Sequence, residues 1–258
     1  MDNLTEIARG VRRDIIRMTY KGGGSPGSSL SAVEILVWLM CKEMKSCDRL
    51  ILSKGQCAPA YYSLLNRILP GGLYCDLDTF RKFKGLPPHP EYPSTDFPCG
   101  SLGMGLSGAN GMALAARLKG DNKSRFFVLM GDGELQEGQV WEAAMTTAHL
   151  GLNNVVVIVD RNEFQGDSST EEQMGMFSLY SKFEAFNWNV AVCWDGHDFE
   201  DLADRLIVKR WEDCPFIIIA KTIKGKGVSF MEADPIAWHT AGPKFTEELY
   251  EQAMEELA

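Results

Sequence analysis

The chain has 258 residues, 45% of them hydrophobic, and a formal net charge of −9 from 26 basic and 35 acidic side chains. That length buries a sizeable core and suits one α/β domain, while the acidic balance argues against nucleic acid and anionic membrane surfaces, because both need a basic face. Seven cysteines without a CxxC pair indicate neither a disulfide framework nor a zinc site, and there is no signal-type or membrane-length apolar run, so a soluble, cytoplasmic protein is expected.

Apolar positions Leu4, Ile7, Val11, Ile15 and Met18 predict a first helix, and "SAVEILVWLMCKEM" predicts a second, opened by Ser31 and Glu34 at capping-box spacing. "RLILS" reads as a short strand, followed by a helix from about 59 to 69. Residues 70–101, rich in Gly and Pro, read as a long loop with a short helical stretch, "DTFRKF", inside it; long loops in compact domains are often functional. A helix near 105–119 closed by Gly120, a strand at 125–130, a helix at 138–150 closed by Gly151 and a strand at 154–160 follow. The pattern then repeats as helix 178–186, strand 188–193, helix 198–211 and strand 215–220, with a C-terminal tail from about 225 that ends in the helical "EELYEQAMEEL". Continuous Val/Ile runs alternating with helices predict a single α/β domain over 1–258: a doubly wound, mainly parallel sheet with helices on both faces. Ligands of such sheets bind beyond the carboxyl ends of the strands.

Two of those ends carry chemistry. Phe126 to Met130 runs into Gly131-Asp132-Gly133, and Val155 to Val159 runs into Asp160-Arg161-Asn162. Gly131 and Gly133 let the backbone turn sharply and approach a bulky anion, and the helix that follows offers free N–H groups. Asp132 nevertheless brings negative charge to the same spot, with Glu134 and Glu137 close behind, so a bare phosphate would be repelled. A hard cation such as Mg²⁺, which takes oxygen ligands, resolves the conflict. On these residues alone a plainer reading is as good: Asp132 caps the helix and Asn162 sits in a turn, since Asp-Gly pairs are ordinary turn formers.

GDG, a helix, and a hydrophobic strand ending in Asn162 together resemble the motif by which thiamine diphosphate enzymes hold Mg²⁺ and the cofactor's diphosphate. Further stretches narrow the resemblance to transketolases, and to the stand-alone N-terminal subunit of split transketolases: "GGGSPGSSLSAVEIL", "DRLILSKGQCAPAYYSLL", "GLPPHPEYP", "CGSLGMGLSGANGMALAARL", "WDGHDFEDL" and "AKTIKGKGVSFMEADPIAWH". They occur in family order and span nearly the whole chain. The resemblance implies the thiamine diphosphate-binding fold and transfer of a two-carbon ketol unit from a ketose, or ketose phosphate, to an aldehyde, with the cofactor as electron sink.

Carried over by motif, Asp132 and Asn162 would be the side-chain ligands of Mg²⁺, with Phe164 lending its carbonyl. Gly133 would give its N–H to the diphosphate, with Gly131 and Glu134 in the same cofactor-binding turn. Backbone groups of Gly100 and Leu102 would hold the aminopyrimidine. Glu137 matches a glutamate that links the two active sites of the dimer, although a first-turn glutamate also suits a helix dipole. His89 and His239 match histidines that face the substrate, the latter also near the diphosphate. In place of two further family histidines stand Ser25, in "GSPG", and Gln56, in "GQC". Neither titrates near neutrality, so a non-standard substrate preference is expected. Lys221, Lys224 and Lys226 either line the anion site or are solvated, His149 suits a helix C-terminus, and His197 reads as a structural loop residue. A full transketolase also needs a pyrimidine-binding domain and a C-terminal domain, for which this chain has no room; a separate C-terminal subunit in an α₂β₂ heterotetramer is implied, inactive without its partner. Two other readings remain: the α subunit of a 2-oxoacid decarboxylating enzyme, which shares the metal motif but not "SLSAVEIL", "PPHPE" or "KGKGVSF", and a catalytically silent regulatory subunit. Retention of Asp132, Asn162, Gly133 and His89 speaks against silence.

Overall fold

A computed structural model describes residues 2–73, 75–91, 94–207, 214–242 and 244–258. In chain order its elements are α1 (Asp2–Gly22), α2 (Pro26–Leu30), α3 (Val33–Trp38), β1 (Arg49–Leu52), α4 (Ala58–Ile68), α5 (Gly105–Leu118), β2 (Phe126–Gly131), α6 (Gly138–His149) and β3 (Val155–Arg161). There follow a small hairpin of β4 (Phe164–Gln165) and β5 (Ser168–Ser169), then α7 (Thr170–Met174), α8 (Leu179–Ala185), β6 (Asn189–Cys193), α9 (Phe199–Ile207), β7 (Phe216–Lys221), α10 (Ser229–Ala233) and α11 (Glu247–Glu256). Five parallel strands form the main sheet in the order β1-β2-β3-β7-β6, the α/β architecture expected.

Strand side chains alternate between faces, and each face has its own core. Phe127, Leu129, Ile158, Ile218 and Ala220 pack with α1, α3 and α4 on one side. Val128, Met130, Val157, Val159, Ile217 and Ile219 pack with α5, α6 and α8 on the other. Burial on both faces is why these strands read as unbroken apolar runs. The C-terminal tail joins the first core: Val228, Met231, Trp238, Phe245, Ala253 and Leu257 are buried in it.

Three local expectations fail. Ser31 does not open a helix; it closes α2, and its hydroxyl donates to the Ser28 carbonyl at 3.2 Å and the Asp160 carboxylate at 2.6 Å. Glu34 forms no capping box either, because the buried Arg12 and His197 side chains claim its carboxylate. "DTFRKF" yields one short turn, Leu77–Thr79, after which Arg81 and Lys84 take left-handed backbone (φ 59° and 61°) and Arg81 N–H closes onto the Leu86 carbonyl at 2.7 Å. Of the helix expected at 198–211, the stretch 208–211 lies outside the described residues.

Candidate functional site

In the sheet, Gly131 of β2 pairs with Asp160 of β3, and Asp160 with Ala220 of β7. The two polar strand ends are therefore adjacent, and beyond them opens a cleft of about 390 Å³. Ten of the residues singled out above line it: Gln56, Leu102, Gly131, Asp132, Gly133, Glu134, Glu137, Asn162, Phe164 and His239. Ser25, His89 and Gly100 lie outside that lining.

Asp132 is buried, and its carboxylate accepts two backbone N–H bonds, from Gly133 at 2.8 Å and Glu163 at 2.6 Å. Glu163 sits in left-handed backbone (φ 66°), the bend by which the chain leaves β3 and turns Phe164 back toward the cleft. Burial, then the neighbouring Asp160, pushes the Asp132 carboxyl up to about 6. Among the described residues Asp132 is in no ion pair, so a cation beside it would relieve the cost of this buried charge. The donor set fits a hard ion: the Asp132 carboxylate, the Asn162 side-chain oxygen and the Phe164 carbonyl are all oxygens. Asn162 is held by its amide N–H to the Ser31 hydroxyl at 3.4 Å, while its Oδ1 accepts from Phe164 N–H at 3.2 Å. No group of three or more His, Cys, Asp or Glu side chains gathers as a metal site among the described residues, so only a mixed side-chain and backbone set is on offer.

Glu134 does something sequence spacing did not suggest. It is buried, and its carboxylate accepts from the Ser53 hydroxyl, from Gly103 N–H at 2.8 Å and from Gly131 N–H at 3.2 Å. One side chain thus ties the strand end after β1, the 102–103 turn and the GDG turn together. Glu137, by contrast, is exposed at the rim.

Below the cleft lies a network the sequence reading missed. Asp160 is fully buried and takes bonds from Lys54, Thr222 and Ser31, the last at 2.6 Å. Burial pushes the Asp160 carboxyl up, but the Lys54 ammonium holds it below the usual range. The same ammonium donates to the Ser28 carbonyl at 3.1 Å. The signal available was a second strand-end carboxylate at Asp160 and a lysine in "SKG"; nothing in their spacing says that they meet.

Of the three lysines near residue 224, Lys224 is the one bonded to a residue of the cleft lining, His239, although it is not itself in that lining. Lys221 lies 4.2 Å over the Trp194 ring, and Lys226 accepts from Arg12 Nε through its carbonyl at 3.1 Å. Lys224 is buried, with Nζ 3.1 Å from His239 Nδ1. Burial, then Lys54, lowers the ammonium to about 8, and burial, then Lys224, lowers the imidazole to about 4. An ammonium only donates, so Nδ1 accepts from it and the neutral ring carries its proton on Nε2. His239 is therefore a neutral hydrogen-bond donor at neutral pH.

His89 is half-buried and packs on two glycines. A Cβ at Gly55 would meet its ring at 3.0 Å and the Cys99 carbonyl at 2.2 Å, and one at Gly100 would lie 3.4 Å from its Nδ1. Burial, then Arg81, holds its imidazole below the usual range. Ser25 and Gln56 are neighbours: the Ser29 hydroxyl donates to both their carbonyls, at 2.9 Å and 3.2 Å. His149 sits in the last turn of α6 and His197 is bonded on both ring nitrogens, away from the cleft.

No helix among the described residues is long and apolar enough to cross a membrane. The family described as transketolase, thiamine diphosphate binding domain, matches residues 3–248. An apulose-4-phosphate transketolase subunit of Actinobacillus succinogenes is 36% identical over 274 residues, covering 99% of this chain and 96% of the relative. The 6-deoxy-6-sulfo-D-fructose transketolase subunit SqwG of Clostridium sp. strain MSTE9 is 38% identical over 251 residues, covering 92% of this chain and 89% of the relative. Among solved structures, transketolase from Campylobacter jejuni matches with a TM-score of 0.87 at 28% identity; all of this chain is covered, but it spans only 43% of that one.

Proposed function

Since the chain belongs to the transketolase family as its thiamine diphosphate-binding domain, we propose that it is the N-terminal subunit of a two-subunit, Mg²⁺-dependent transferase that moves a two-carbon ketol unit from a ketose to an aldehyde. The observation that carries the site assignment is the buried carboxylate of Asp132, unpaired with any cation among the described residues, facing the Asn162 side chain and the Phe164 segment across one cleft. Thiamine diphosphate, when bound, supplies the electron sink for breaking and making the carbon–carbon bond.

The chain's own residues have the following roles. Asp132, Asn162 and the Phe164 carbonyl hold Mg²⁺. Gly133 N–H and the Lys224 ammonium receive the diphosphate, which an acidic protein must hold locally. Backbone groups of Gly100 and Leu102 hold the aminopyrimidine, and Glu134 keeps their turn in register with the GDG turn through its bonds to Gly103 and Gly131. His239 offers an Nε2 proton, and His89, Ser25 and Gln56 hydrogen-bond substrate hydroxyls. Glu137, exposed at the rim, suits a contact with a second active site across a subunit boundary.

The relatives named for apulose 4-phosphate and for 6-deoxy-6-sulfo-D-fructose are parts of enzymes for uncommon sugars. Together with Ser25 and Gln56 they support a non-standard sugar or sugar phosphate here. Both relatives are themselves named as subunits of transketolases and are matched over 96% and 89% of their own lengths, which supports a separate partner subunit here; the assembly is taken to be α₂β₂. Seven free cysteines suit a reduced cytoplasm.

Titration calorimetry of thiamine diphosphate into the assembled protein tests the metal and cofactor site. Affinity is expected to require Mg²⁺ and to fall at least about tenfold in Asp132→Ala and in Asn162→Ala. Undiminished affinity in either variant overturns the metal assignment.

A further inference from the structure

Residues 222–227 form the loop that carries Lys224, and the loop is pinned on both sides of that lysine. Before it, Ile223 N–H donates to His197 Nε2 at 2.9 Å. After it, the Lys226 carbonyl accepts from Arg12 Nε at 3.1 Å. Both pins are held by one carboxylate: Glu34 takes Arg12 bidentately at 2.6 and 2.7 Å and His197 Nδ1 at 2.9 Å. The three side chains are only 7–9% exposed, and none of them lines the cofactor cleft.

The chemistry of each bond is fixed by its partner. A carboxylate only accepts, so His197 Nδ1 carries the proton, and Nε2 keeps the lone pair that receives Ile223 N–H. Burying an arginine–carboxylate pair is costly unless every donor and acceptor is used. Here the spare donor and acceptor go to two backbone groups of a single loop. Other bonds also hold the loop, among them Gly225 N–H to the Gly27 carbonyl at 3.2 Å and Gly227 N–H to the Glu232 carboxylate at 2.7 Å, with Gly225 and Gly227 in left-handed backbone, φ 85° and 92°. The two clamp bonds are the ones that flank Lys224 through side chains of α1 and of the 194–198 turn. At the centre of the loop, Lys224 reaches His239 Nδ1 at 3.1 Å. A shift of the loop would move the ammonium and release the imidazole to its other tautomer.

We propose that Arg12, Glu34 and His197 form a clamp that positions Lys224, and through it the proton of His239, at the diphosphate end of the cleft. They are positioning residues, and the inference rests on the reading that this cleft binds thiamine diphosphate. It also gives the histidine of "DGHD" a task beyond shaping its own loop.

Two substitutions at one position separate clamp from scaffold. In His197→Asn the amide nitrogen takes the place of Nδ1 and still donates to Glu34, but nothing reaches Ile223. In His197→Gln the longer amide brings a carbonyl to the place of Nε2 and restores that bond. Thiamine diphosphate with Mg²⁺ is titrated calorimetrically into the assembled protein carrying each variant, Lys224→Met, and the His197→Asn/Lys224→Met pair. Melting of the cofactor-free protein is followed in parallel. The clamp predicts affinity about tenfold weaker in His197→Asn, near wild type in His197→Gln, and no further loss from His197→Asn once Lys224 is gone, with cofactor-free melting little changed. Wild-type affinity in His197→Asn, equal losses in Asn and Gln, multiplying losses in the pair, or a cofactor-free His197→Asn protein that no longer folds would each overturn it. Failure of the wild-type protein to bind thiamine diphosphate sinks the cofactor reading itself, and is seen before any variant is compared.

Discussion

Ser25 and Gln56 carry the question of specificity. Their backbones are tied together by the Ser29 hydroxyl, so the local chain path is fixed while the side-chain chemistry departs from the two imidazoles of the family pattern. Losing a positioned acid or base costs about 10²–10⁴-fold in rate. Ketol transfer from xylulose 5-phosphate to ribose 5-phosphate is therefore expected to be slow in the wild-type complex and faster in Ser25→His/Gln56→His, measured as initial rates with both subunits present. A wild type already near a typical enzyme's rate of about 10 s⁻¹, with no gain in the double variant, shows instead that hydroxyl and amide do the imidazoles' work by hydrogen bonding. The site's neutral groups have a definable origin too. Partial burial of the His239 ring, then the nearby Lys224 and Lys54 ammonium groups, lower its imidazole to about 4.

At the level of elements, the site depends on how closely the turn after β1 meets the segment 99–103. Gly55 lies between them, where a Cβ would fall 2.2 Å from the Cys99 carbonyl. Backbone cannot yield as a flexible side chain does, so Gly55→Ala must push 99–103 away and carry Gly100 and Leu102 with it. Overpacking of this kind costs about 1–3 kcal/mol. The expected result is a lower midpoint in denaturant together with weaker thiamine diphosphate binding in calorimetry. Unchanged values of both would mean that the two segments can separate without cost to the cleft. The same closeness explains the buried bond network of Glu134, which spans all three turns and makes their spacing a single cooperative feature.

For the whole molecule, the open issue is assembly. Phe83 is 94% exposed and Phe177 81%, large apolar side chains of the kind that partner surfaces cover. The purified chain alone is expected to show no ketol transfer, and mixing with a chain bearing the pyrimidine-binding and C-terminal domains should give activity and a mass by light scattering equal to two copies of each. Robust turnover by this chain without a partner contradicts that assignment.

What the sequence determined by itself was the order of strands and helices, the burial of the sheet on both faces and the motifs of the family. Each of these depends on periodicity or on short contiguous patterns such as GDG, which survive without knowledge of neighbours. Ten of the thirteen residues selected from those motifs line one cleft, because motifs of this type sit at strand ends and the parallel sheet brings the ends together. Only the tertiary structure decided which distant charges meet. Ser31 and Glu34 have capping-box spacing, yet Ser31 serves Asp160, 129 residues away, and Glu34 serves His197, 163 away. Lys54 and Asp160, 106 residues apart, likewise find each other only in the folded core. A buried charge must be paired or bear a large desolvation cost, and this demand outweighs the small energy of a local cap. The partner that satisfies it is chosen by packing, which no local spacing encodes.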